Sequence, residues 1–187
     1  RSAEAPATVA EQVQNVVPAV RIGYARDAAF GFYYPDDLQA LRQAGAELVP
    51  FDTLSDRMLP EVDGLFIGGG FPETKMAELA ENHHMLSSIR DFIEEDGPTY
   101  AECGGLMYLC RSLAWGDEQC EMAGVIPADV VMHEKPQGRG YVRLCETGEH
   151  PWPTMPGQLT ALRAHEFHYS GLENLAPDTR YAFTVER

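Results

Sequence analysis

Residues 97–109 read GPTYAECGGLMYL, and the parsing of this stretch decides the fold. The run PTYAEC, entered through Gly97-Pro98, has the character of a short buried strand. The following GLMYLCRSL places Leu106, Leu109, Cys110 and Leu113 at helical spacing and predicts a helix through Leu113. Cys103 therefore falls on the turn between strand and helix. A cysteine in apolar surroundings is ordinarily small, inert packing. A tight strand-to-helix turn, however, is the geometry that exposes a nucleophile at the carboxyl edge of a sheet. Gly104 and Gly105 are small enough for such a bend, and the helix N-terminus that follows favours an anion, whether thiolate or oxyanion. Glu102, next to the cysteine, points to the opposite face of the strand.

Outward from this point the chain alternates strand and helix. AVRIGYA (19–25) is a β-branched run; PDDLQALRQAGAEL has Pro35 and Asp36 as helix-start signals and Gly45 as a stop. ELVPF and DGLFIGGG are further strands, PETKMAELAEN is helical, and HMLSSIRDFIEEDG is a helix ending at Gly97. Alternation of this kind implies βαβ units and a mostly parallel sheet flanked by helices. Beyond about residue 115, MAGVIPADVVM, GRGYVRL, LRAHEFHYS and RYAFTVE read as strands, so additional antiparallel strands are expected in the C-terminal third. Residues 1–18, RSAEAPATVAEQVQNVVP, read as a linker, leaving 19–187 as one α/β domain.

The 187 residues suffice for one substantial core. The formal net charge of −15 argues against nucleic acid or an anionic membrane as a partner, because both require a positive field. No apolar run approaches the roughly 20 residues that span a bilayer. The four cysteines (103, 110, 120 and 145) form no CxxC pair, which points to reduced thiols in a cytoplasm and away from a structural metal site.

Two further features bear on Cys103. GLFIGGGFPE (64–73) ends an apolar strand in three glycines at the edge where parallel sheets bind ligands. Backbone N–H groups there can approach a ligand unobstructed, as an oxyanion hole requires. No G-x-x-x-x-G-K-[ST] phosphate loop occurs anywhere in the chain. A cysteine nucleophile also needs a base, and six histidines are available. His83, His84, His133 and His150 stand in polar or loop-like surroundings. RAHEFHYS alternates, so Glu166 and His168 share one strand face and His165 takes the other.

The combination of AFGFYYPDDLQALRQAGAELVPF, LPEVDGLFIGGGFPE, YAECGGLMYL, MAGVIP, GYVRL and HEFHYS resembles the C-terminal glutaminase domain of cobyrinic acid a,c-diamide synthases, over nearly everything after residue 18. That family is similar to the triad-type (class I) glutamine amidotransferases. The resemblance implies an α/β fold of that class, with Cys103 as nucleophile, His168 as base, and backbone at Gly69, Gly70 and Gly104 as oxyanion hole. The wider superfamily has a glutamate two residues after the histidine, where Ser170 stands here, so a Cys–His dyad assisted by Glu166 is expected. The resemblance further implies L-glutamine as substrate, no cofactor in this domain, and a preceding synthetase domain that binds Mg-ATP and a tetrapyrrole acceptor. Residues 1–18 would then be the linker from that domain, which is missing from this chain. Related enzymes that amidate sirohaem, a docking domain without turnover, and a cysteine hydrolase of another class are the competing readings.

Overall fold

The computed structural model describes residues 19–152 and 161–187. The linker expected over residues 1–18 lies outside them. In chain order the elements are β1 (Val20–Ala25), β2 (Phe30–Phe32), α1 (Pro35–Gln43), β3 (Ala46–Phe51), β4 (Gly64–Ile67) and β5 (Gly69–Gly70). A 3₁₀ turn over Pro72–Lys75 leads into α2 (Met76–Glu81) and α3 (His83–Glu94), then β6 (Thr99–Ala101) and α4 (Gly104–Leu109). Among the described residues the remaining elements are strands: β7 (Cys110–Trp115), β8 (Glu118–Glu121), β9 (Ile126–Met132), β10 (Gly138–Glu146), β11 (Ala161–His168), β12 (Ser170–Glu173) and β13 (Phe183–Glu186).

The central sheet is parallel throughout, in the order β3-β1-β4-β6. Its helices start and stop for local reasons. α1 has proline in its first turn with Asp36 and Asp37 beside it, and the chain leaves it through Gly45 at φ 98°. α3 is capped by the Asn82 side chain, which accepts from Met85 N and donates to the Thr53 and Asp56 carbonyls. Its apolar stripe of Met85, Leu86 and Ile89 packs into a core shared with Ile67, Leu79, Tyr108, Leu113 and Val130.

The helix expected through Leu113 ends at Leu109, and Cys110 begins a strand. β7 is central in a second sheet, β12-β9-β7-β8, parallel to β9 and antiparallel to β8. Cys110, Ser112 and Leu113 are buried there, so the strand lacks the alternation that would have distinguished it from a helix. The expected strand GLFIGGG also divides: β4 stops at Ile67, and Gly69–Gly70 turn away to pair antiparallel with β2. The third sheet, β11-β10-β13, is the antiparallel addition expected in the C-terminal third.

Candidate active site

The elbow is built by close packing. Cys103 sits at φ 52°, ψ −113°, a backbone conformation that L-residues rarely adopt and that surrounding structure must hold in place. Glu102 N donates to the Ile67 carbonyl, and Gly105 N to those of Gly68 and Glu102. A Cβ on Gly105 would stand 2.1 Å from the Ile67 carbonyl oxygen, so only glycine lets α4 start this close to the end of β4. The other glycines singled out in the sequence converge on the same point. A Cβ on Gly69 would lie 3.5 Å from Cβ of Cys103, and one on Gly104 would lie 3.1 Å from the Gly70 nitrogen.

Tyr33 fixes the glycine turn and was not apparent from the sequence. Its hydroxyl accepts the Gly68 N–H at 3.1 Å and donates to the Ala25 carbonyl. Burial pushes its hydroxyl up to about 12, so it remains a donor throughout the neutral range. Its ring packs edge-on against Tyr24 and Phe66. The signal was an aromatic cluster, FGFYY, that periodicity alone does not resolve.

His168 ends β11 and faces the same cavity as Cys103. This space, about 920 Å³, is also lined by Gly69, Glu102, Tyr33 and Gln137. Nδ1 of His168 lies 2.8 Å from the Ser170 carbonyl oxygen. A carbonyl can only accept, so the proton is on Nδ1 and Nε2 keeps its lone pair in the neutral ring. That is the tautomer a base requires. Ser170 thus contributes through its backbone at the position where a carboxylate was missing. Gly138, opposite His168 across the β10–β11 ladder, makes room for the imidazole: a Cβ there would stand 2.2 Å from Nε2. Gln137 N donates to the His168 carbonyl at 2.8 Å and fixes the same strand end.

Glu166, expected to assist the Cys–His pair, lines the same cavity. Nδ1 is occupied by Ser170, and the Glu166 carboxylate accepts from Nε and Nη2 of Arg187, at 3.0 and 3.2 Å. The sequence could not foresee this partner, which stands 21 residues away. His165 also borders the cavity, with its ring against Tyr141, its cross-strand partner, at 5.4 Å. The other four histidines do not line it.

Of the four cysteines only Cys103 is exposed, and only it borders the cavity. Cys110 is buried and gives its thiol proton to the Leu106 carbonyl; burial pushes that thiol up to about 11. It is the inert packing cysteine of the pair.

The arrangement suits acyl transfer: an exposed thiol on a strained turn, a histidine of fixed tautomer across a cavity, and a glycine backbone beside the thiol. Among solved structures the fold is similar to a glutamine amidotransferase from Thermotoga maritima (TM-score 0.59, 17% identity, 88% of this chain and 66% of that one). A second glutamine amidotransferase structure matches with TM-score 0.55 at 19% identity over 83% of this chain and 75% of that one. These similarities show the class I amidotransferase-like α/β fold. In sequence, the chain is 51% identical over 168 residues to the cobyrinate a,c-diamide synthase of Magnetococcus marinus, covering 90% of this chain and 35% of that protein. The synthase of the same name from Archaeoglobus fulgidus is 42% identical over 173 residues, covering 90% and 36%. The chain thus spans about a third of the length of these relatives. Residues 21–187 match the family described as the CobB/CobQ-like glutamine amidotransferase domain, and the chain belongs to that family.

Proposed function

We propose that the chain is the glutaminase part of an ATP-dependent cobyrinate a,c-diamide synthase and that Cys103 and His168 are its catalytic residues. The observation that carries this reading is one cavity bordered by both side chains, with Nδ1 of the histidine already committed to the Ser170 carbonyl. Nε2 takes the Cys103 proton as Sγ attacks the carboxamide carbon of glutamine. The oxyanion that forms is met by backbone N–H groups at Gly69, Gly70 and Gly104. His168 then protonates the leaving nitrogen, ammonia departs, and a γ-glutamyl thioester remains on Cys103. Water, deprotonated by the same imidazole, hydrolyses the thioester to glutamate and restores the thiol.

The ammonia is used elsewhere. Mg-ATP, bound by the portion of the protein outside this chain, would activate a carboxylate of the corrin acceptor for amidation. This chain has no phosphate-loop spacing with which to hold it. Free thiols at all four cysteines accord with a cytoplasmic setting.

The division of labour is testable in the full-length protein. Cys103→Ser should abolish glutamine-dependent amidation of cobyrinate yet leave amidation from added ammonium salt near the wild-type rate. Loss of both activities would show that Cys103 is structural. Retention of both would show that the nucleophile lies elsewhere.

A further inference from the structure

Glu166 and Arg187 form a fork, the guanidinium Nε and Nη2 donating to the two carboxylate oxygens at 3.0 and 3.2 Å. Two-point pairing fixes the orientation of a carboxylate as well as neutralising it. This carboxylate is a close neighbour of the base. The point where a Gly138 Cβ would stand is 2.2 Å from Nε2 of His168 and 3.0 Å from Cδ of Glu166, so those two atoms are at most 5.2 Å apart. Nε2 is the nitrogen left free by the Ser170 bond, the one that must receive the thiol proton. A bare carboxylate this close would hold the imidazolium and keep the base protonated to higher pH. Once forked by a guanidinium, the carboxylate belongs to an ion pair with no net charge.

We propose that Arg187 is a positioning residue that neutralises Glu166 beside His168, so that the imidazole enters each turnover as the free base. The inference rests on the glutaminase reading above. Among the described residues, the other titratable groups around His168 are Cys103, Glu102, Tyr33 and Tyr34 on the cavity wall, His165 on its own strand and Tyr169 next to it in the chain. His133 lies against Gly171 of β12, Arg139 stands opposite Phe167 on β10, and Glu186 stands opposite Arg143 on β13. None of these is forked onto the Glu166 carboxylate as Arg187 is.

The test is the pH profile of kcat/KM for glutamine hydrolysis by the full-length protein. Unmasking one charge no more than about 5 Å away at a partly exposed site should move the acid limb of Arg187→Gln up by about 0.5–1 pH unit. The direction does not depend on which member of the Cys–His pair loses its proton first, because an added negative charge raises both. A full unit means a loss approaching tenfold well below the limb and little loss well above it. Arg187→Lys should shift the limb less. The double variant Glu166→Gln/Arg187→Gln should return it to the wild-type position or below. A purely structural Arg187 would lower the rate at every pH without moving the limb, and that result, or a double variant that keeps the shift, overturns the inference. A wild-type protein without glutaminase activity would overturn the underlying reading and this inference together. An active wild type with an unmoved limb in Arg187→Gln overturns the inference alone.

Discussion

Around Cys103 the chain is enclosed: five of the six residues of α4 are buried, and the turn is wedged between the ends of β4 and β5. Around His168 it is open, since none of the eight residues of β11 is buried and the strand is held by ladder bonds to β10 and by the bond to Ser170. One of the two proposed catalytic side chains is thus aimed by packing that only glycine permits, the other by hydrogen bonds on an exposed ribbon. Damage should therefore reach activity by different routes. Substitutions beside Cys103 should act through stability, and those beside His168 through rate.

The largest expected effect lies on the open side. His168→Ala should lower glutaminase kcat about 10²–10⁴-fold with little change in melting temperature, the ordinary loss on removing a general base. His165→Ala, whose ring rests on Tyr141, should lose far less. Steady-state ammonia release would reverse the assignment if His165→Ala were the inactive variant. Next is Gly105→Ala on the enclosed side. Its methyl would meet backbone at 2.1 Å, and overpacking against an atom that cannot swing away should destabilise by about 2–4 kcal/mol. A Gly105→Ala protein that melts like wild type would refute the view that close packing sets the elbow.

Tyr33→Phe is a smaller probe of the same side. It leaves the Gly68 N–H without its acceptor and should destabilise by about 1–2 kcal/mol. The sign with pH follows from the raised Tyr33 hydroxyl, at about 12. The hydroxyl is protonated in folded and unfolded chains alike below about pH 9, so the difference from wild type should be flat from about pH 6 to 9. A difference that changes steeply within that window would contradict the account. Smallest of all is Ser170→Ala, expected within about twofold of wild type, because the bond to His168 uses the backbone carbonyl and survives the substitution.

The same contrast explains what was legible in the sequence. The enclosed half depends on local signals: a strand, a cysteine and paired glycines in one short run, with Gly69 and Gly70 at the end of a neighbouring parallel strand. The parallel character of the central sheet followed from strand–helix alternation, and α1 was framed by Pro35 and Gly45. The register of Cys110–Trp115 was hidden because a strand buried between two neighbours has the same apolar density as a short helix, and sheet pairing overrode helical spacing. β2 and β5, of three and two residues, are too short for any periodicity to show. On the open side the histidine was visible as part of a motif. Its supports were not: the Ser170 carbonyl is a backbone atom, the space left by Gly138 depends on cross-strand register, and Arg187 reaches Glu166 through tertiary structure.

In the proposed mechanism one cysteine of four, exposed on the strained turn, is the nucleophile toward glutamine. The direct measurement is to treat the full-length protein with a diazo-ketone analogue of glutamine and map the adducts by peptide mass spectrometry. Cys103 should be labelled stoichiometrically, with labelling suppressed by excess glutamine and lost in Cys103→Ser, and the buried Cys110 should be unmodified. Equal labelling of Cys110, Cys120 or Cys145, or labelling of Cys103 that glutamine does not suppress, would contradict it.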